Sequence, residues 1–241
     1  MKRFLSALLA LLLAAGCCAA WAEESEETAY EVPEIIQETI NIALNEWEQL
    51  GEQALSQEPK ANKFTKWWGY ACGWCGAFTS YCMDTAGIPL EPTDTYRKVK
   101  PTGDNAPHGI REALPSKIFT GFNNMERITD IPRPGYLILY GARDIASARE
   151  SSLMHIGLVT DVIDRGDGVY QLFTVEGNIG RTVKRFSFLY DSTADGKHNL
   201  SLLPESDWAE PDIYHYDDPR QTKRDGKNFG WYVDSFCQTW Q

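Results

Sequence analysis

Cys75, His155 and Glu176 are the side chains of this sequence whose types and settings suit them to chemistry. Cys75 lies in the run Cys72-Gly73-Trp74-Cys75-Gly76-Ala77-Phe78-Thr79-Ser80-Tyr81-Cys82, where Cys75, Phe78 and Cys82 fall on one helical stripe. Gly73 frees the backbone ahead of that stripe, and Gly87 followed by Pro89 ends it. The spacing therefore predicts a helix that begins at Cys75. At a helix start the unpaired amides and the positive end of the dipole favour a thiolate over a thiol, and the thiolate is the nucleophile. A cysteine so placed is equally a small packing residue unless a base and an orienting acid accompany it.

His155 is the one histidine of four that sits inside an apolar β run, Met154-His155-Ile156-Gly157-Leu158-Val159. Alternation along a strand puts His155, Gly157 and Val159 on one side, where the glycine leaves room over the sheet. Glu176 and Asn178 share a face of the next run by the same period of two. A carboxylate or amide that accepts from the far ring nitrogen of a histidine fixes its tautomer and leaves the near nitrogen to take a thiol proton. Taken singly, His155 reads as a hydrogen-bonded core residue and Glu176 as an acid at a strand end. Taken together with Cys75 they point to acyl transfer through a thiol.

The elements that must position these groups show as patterns. Ile36, Ile40, Leu44, Trp47, Leu50 and Ala54 recur every three or four positions behind Pro33, which predicts an amphipathic packing helix from Pro33 to about Gln57. Glu58 to Ala71 reads as a polar, aromatic loop leading to the Cys75 helix. Glu91 to Pro115 carries Pro92, Gly103, Pro107 and Gly109 and reads as a surface connection holding a short helix, with His108 facing solvent. Strands follow at Tyr136 to Tyr140, behind Pro134-Gly135, at Met154 to Val159, at Val169 to Glu176 and at Arg181 to Leu189. Asp164-Arg165-Gly166-Asp167-Gly168 supplies turn chemistry, so the second and third should form an antiparallel hairpin. The fold class expected is α+β. Residues 34–241 are expected as a single domain, with a C-terminal extension from about 190 whose elements the pattern does not place.

Four ordered blocks carry a family resemblance. Trp74-Cys75-Gly76-Ala77-Phe78-Thr79-Ser80 with Ala86-Gly87-Ile88, then Pro134-Gly135, then His155-Ile156-Gly157-Leu158-Val159, then Val175-Glu176-Gly177-Asn178, resemble the successive motifs of CHAP domains, the cysteine, histidine-dependent amidohydrolases and peptidases. The resemblance covers roughly Gln37 to Leu189. It implies a papain-like fold, with N-terminal helices and the nucleophile helix packed on an antiparallel sheet, and hydrolysis of amide bonds in bacterial peptidoglycan. It further implies Cys75 as nucleophile, His155 as general base and then acid, and Glu176 as orienting acid with Asn178 as neighbour or substitute. Trp74, next to the nucleophile, is a candidate substrate-binding residue. No metal or cofactor is implied, and the Asp residues form no calcium-loop spacing. Where the family usually has Asp after Pro-Gly, this chain has Tyr136.

Met1 to Ala22 reads as a secretory signal, with Lys2 and Arg3 before the apolar run Leu5 to Ala15 and Ala20-Trp21-Ala22 as its cleavage site. Ala14-Ala15-Gly16-Cys17 also resembles a lipobox, which makes lipid anchoring at Cys17 the alternative to free secretion or cell-wall association. The apolar run is too short for a good membrane span. Residues 23–33 read as an acidic tether. Loss of the signal removes two of 23 basic residues and none of 34 acidic ones, which takes the net charge from −11 to −13 and argues against nucleic acid as a partner. Four cysteines remain, Cys72, Cys75, Cys82 and Cys237. With Cys75 free for chemistry and Cys82 on the inward stripe, Cys72 with Cys237 is one candidate disulfide, anchoring the tail. Cys72 with Cys75 is another, and would gate the nucleophile. The same C-x-x-C spacing leaves a thioredoxin-like thiol-disulfide oxidoreductase as a rival function, and a non-catalytic wall-binding module as a third.

Overall fold

Antiparallel pairing of consecutive runs builds the sheet onto which the helices pack. The computed structural model describes residues 31–51, 53–92, 106–144, 153–194, 199–204, 214–215, 221–224 and 227–241. The signal peptide, the lipobox cysteine and nearly all of the acidic tether lie outside the described residues. Val32–Gln241 form one compact unit. Among the described residues no helix is long and apolar enough to cross a membrane.

Four helices are described: α1 (Glu34–Leu50), α2 (Lys63–Trp68), α3 (Cys75–Ala86) and α4 (Pro115–Asn124). The principal strands are β4 (Leu137–Asp144), β5 (His155–Asp164), β6 (Val169–Ile179), β7 (Thr182–Asp191) and β11 (Lys227–Cys237). With short β8 (Leu200–Ser201) and β10 (Gln221–Arg224) they run β10-β11-β4-β5-β6-β7-β8 across the sheet. Each of those neighbours pairs antiparallel. Short β3 (Ile128–Thr129) adds to β11, and β9 (Tyr214–His215) lies parallel to β7. β1 (Leu90–Pro92) and β2 (Gly109–Arg111) form a separate parallel pair. The fold is thus α+β with a large, mainly antiparallel sheet.

The hairpin expected around Asp164 to Gly168 forms between β5 and β6. Its turn is closed by the Arg165 amide donating to the Val169 carbonyl at 2.9 Å and takes left-handed backbone at Gly166, Asp167 and Gly168. The expected amphipathic helix is shorter than its pattern. α1 stops at Leu50, where Gly51 takes φ 48°, and Ala54 is exposed beyond it. The segment expected as a loop before Cys75 contains α2, whose start is fixed by a capping box: the Asn62 side chain accepts from the Phe64 and Thr65 amides, and Thr65 returns a bond to the Asn62 amide. His108 is half-buried rather than solvent-facing, its amide donating to the Thr239 carbonyl at 2.8 Å. Within the stretch from about 190, whose elements the pattern does not place, β11 lies in the interior of the sheet beside β4.

α3 packs against β5 and β6, and α1 packs against α3 and β7. The seam between helix and sheet is aromatic. Trp74, Phe64 and Phe78 are fully buried, with Phe64 stacked on Trp74 at 5.0 Å and edge-on to Phe78 at 5.2 Å. Burial of such side chains contributes about 1.5–3 kcal/mol each. Gly177 on β6 permits the approach, since a β-carbon there would lie 2.6 Å from Phe78 and 2.9 Å from Trp74. This contact holds the start of α3 over the strand that carries Glu176.

Candidate active site

The three candidate residues arrive from three elements. Cys75 is the first residue of α3, 6% exposed, and no side chain caps that helix start. His155 is the first residue of β5 and Glu176 lies near the end of β6. The β5–β6 register places Leu158 opposite Val175, so the strand end that bears Glu176 runs alongside the strand start that bears His155.

His155 Nε2 lies 2.8 Å from Glu176 Oε2, with the imidazole 4% exposed and the carboxylate wholly buried. The ring nitrogen that Glu176 leaves open, Nδ1, is the one available to Cys75, which lines the same cleft as His155 and whose Sγ lies 4.0 Å from the Gly73 carbonyl. Burial works to depress the histidine, but the hydrogen bonds to Cys75 and Glu176 and the charges of both outweigh it, so its pKa is raised above the ordinary 6.5. The imidazole thus stands between the thiol of Cys75 and the carboxylate of Glu176.

Glu176 is itself tied down. Its Oε1 accepts from the Tyr140 hydroxyl at 2.6 Å and from the Thr174 hydroxyl at 2.9 Å. Tyr140 stands directly opposite His155 in the β4–β5 register and its ring stacks on the imidazole, with centroids 5.7 Å apart and planes at 27°. Trp231 of β11 approaches the imidazole on its own account, at 5.4 Å. The space that Gly157 was expected to leave is taken up by the orienting acid. A β-carbon at Gly157 would lie 2.7 Å from Glu176 Cγ, so only glycine admits that side chain.

A cleft of about 470 Å³ opens over Cys75 and His155. Gly73 and Asn178 line one part of it, Leu114 and Pro115 another, and Met154, Ile179 and Trp231 a third. Among the described residues no charged side chain other than the candidate histidine lines it, although the chain as a whole is strongly acidic.

Asn178 does not share the position of Glu176. A bulge between Gly177 and Ile179 interrupts the alternation, and Asn178 takes φ 67° within it. Its side chain turns to the cleft, where Oδ1 accepts from Gln57 Nε2 at 2.9 Å and the amide nitrogen lies against Gly73. Glu176 alone therefore holds the far nitrogen of His155. Trp74, a candidate substrate-binding residue, is instead a core residue with no exposed surface, packed between Phe64 and β6. Tyr136, at the position where the family usually has Asp, is buried and packs edge-on to Trp240 at 5.9 Å, away from these contacts.

Cys72, Cys75, Cys82 and Cys237 are all free thiols, so neither candidate link, Cys72 with Cys237 or Cys72 with Cys75, is formed in this structure. The reason is placement. Cys237 is buried in β11 between Leu137 of β4 and Ile128 of β3, whereas Cys72 sits in the loop before α3, its amide donating to the Gln57 carbonyl. Burial, with the nearby Cys75 and Glu112 charges, pushes the Cys72 thiol up to about 11. Cys82 is fully buried on α3, as its stripe implied. No strand leads into the C-x-x-C run, which follows α2 and a loop, so the βαβ setting of a thioredoxin-like motif is absent among the described residues.

Tyr140, Thr174 and Trp231 escape a reading of the sequence. Thr174 alone carries a signal, being two residues from Glu176 and so on the same face of β6. Tyr140 and Trp231 need the strand register. No protein-family model, no curated protein and no solved structure matches this chain.

Proposed function

We propose that this protein is a secreted, papain-like thiol hydrolase that cuts an amide bond in bacterial peptidoglycan. The observation that carries the reaction class is the grouping of Cys75, His155 and Glu176, with a thiol at a helix start, an imidazole lining the same cleft and a buried carboxylate bonded behind the ring. The substrate class rests on the resemblance of the four sequence blocks to CHAP domains.

Cys75 gives its proton to His155 and attacks the carbonyl carbon. Negative charge then develops on the carbonyl oxygen. The Cys75 backbone amide, which has no partner within α3, lies where it can donate to that oxygen. The amide nitrogen of Asn178 offers a second donor from the facing part of the cleft, oriented by Gln57. His155 next protonates the leaving nitrogen, which departs as an amine and leaves a thioester on Cys75. Water, deprotonated by the same imidazole, releases the acid and the free thiol. Glu176 keeps the ring in one tautomer throughout.

Digestion of purified peptidoglycan, with new termini identified by mass spectrometry, tests this reading. New amine and carboxyl ends at one bond type are expected from wild type and none from Cys75→Ala. Equal release by Cys75→Ala would overturn it.

A further inference from the structure

We infer that the hydroxyls of Tyr140 and Thr174 hold Glu176 as an acceptor and thereby select the His155 tautomer that leaves Nδ1 open to Cys75. This rests on the reading of Cys75, His155 and Glu176 as a catalytic line, and it assigns two positioning residues outside that line.

Both hydroxyls converge on one carboxylate oxygen, at 2.6 Å and 2.9 Å. A protonated carboxyl has a proton to place, and two donors on Oε1 leave no room for it there. Oε2 faces His155 Nε2 at 2.8 Å, so the proton between them belongs to one or the other. With Glu176 ionised, Nε2 carries the proton and the neutral ring offers an Nδ1 lone pair to the thiol. With Glu176 protonated on Oε2, the acid donates to Nε2 and Nδ1 must carry the hydrogen, so the ring can no longer accept from Cys75. The carboxylate is wholly buried, and a buried anion persists only when hydrogen bonds replace its water. The two hydroxyls supply those bonds on the side away from the histidine. Groups facing this unit come from several elements: Cys75 on α3, Tyr140 on β4, Trp231 on β11 and Lys184, which stands opposite Glu176 on β7.

The ring of Tyr140 also stacks on the imidazole, so a packing role must be separated from that of its hydroxyl. Tyr140→Phe keeps the ring and removes only the donor, and Thr174→Val does the same for the second bond, while Thr174→Ser retains it. Nitrogen-15 spectra of the His155 ring report which nitrogen carries the hydrogen. The rate of Cys75 alkylation by iodoacetamide, followed at its own peptide from about pH 5 to 10, reports the thiolate. Loss of one charge-assisted bond, about 1.5–3 kcal/mol, corresponds to tenfold or more in an equilibrium. Tyr140→Phe and Thr174→Val are therefore expected to move the ring toward the Nδ1–H form. They should also lower alkylation near neutral pH about tenfold, with rates converging on wild type above pH 9. Thr174→Ser should resemble wild type. A folded Tyr140→Phe, Thr174→Val double variant with an unchanged tautomer and alkylation profile would overturn the inference. Neither readout uses a wall substrate, so a wild-type protein that cleaves no peptidoglycan yet shows these shifts would sink the proposed substrate and leave the positioning roles standing.

Discussion

Cys75 and Cys82 share one helix stripe but answer to different surroundings, and substitution separates them. Cys75→Ala should fold as wild type and abolish hydrolysis, whereas Cys82→Ala leaves the site intact and costs stability through the small cavity it opens in the core. The comparison of melting temperature with turnover checks both. Glu176→Gln is the sharper case, because Asn178 does not reach His155 and nothing replaces the lost carboxylate. A loss on the order of ten thousand-fold is expected from the wrong ring tautomer, against on the order of a hundred-fold for Asn178→Ala as loss of an oxyanion donor. Acidity gives an independent reading. Glu176 and Cys75 both raise the imidazole against its burial, so removing either should move the His155 titration down, as seen by proton NMR. In wild type, because the folded state binds that proton more tightly than the unfolded chain, its stabilisation is complete below about pH 6.5 and is lost as pH rises through the raised folded value. Glu176→Gln should flatten that part of the melting curve against pH.

Gly157 shows how an element, rather than a residue, carries the site. Gly157→Ala introduces one methyl group at a strand position that any residue tolerates in backbone terms, yet that methyl meets the Glu176 side chain. Overpacking of this kind costs about 1–3 kcal/mol, and here the strain falls on the orienting acid. Turnover should drop more than stability does, which kinetics beside thermal melts will show. The same scale explains what the sequence made legible. Helix start, apolar stripe and β alternation are local, and they placed Cys75 on α3, His155 on β5 and Glu176 on β6. The boundary of α1 was missed because the apolar repeat continues past Gly51, while the backbone turns there. α2 was missed because its six residues are too few for a period, although its capping box can be read at Asn62 and Thr65. Asn178 was misplaced because the period of two assumes an unbroken ladder, and the bulge after Gly177 breaks it. Trp74 was a candidate for substrate binding because it adjoins Cys75 in sequence, whereas its packing against Phe64 and β6 places it in the core.

For the molecule as a whole, charge opposes approach to the proposed substrate. The chain carries a net charge of −11, and cell walls rich in phosphate or carboxylate repel it. Raising ionic strength from about 0.01 M to about 0.15 M shortens the screening length from about 30 Å to about 8 Å. Hydrolysis of whole walls should therefore speed up over that range, while hydrolysis of a small uncharged amide fragment stays level. Equal salt dependence for both would show that long-range repulsion plays no part.

The place of β11 makes the sheet depend on a pairing between distant parts of the chain. Trp231, which presses on the imidazole, belongs to the strand that pairs with β4 from far along the chain. The β5, β6 and β7 meander can form from neighbours in sequence, but β4 keeps an open edge until the final strand arrives. A chain in which β11 has not yet docked thus holds its thiol and imidazole beside an unfinished sheet. Docking of β11, which must close a long stretch of chain to reach β4, is the step that completes the sheet and brings Trp231 onto His155.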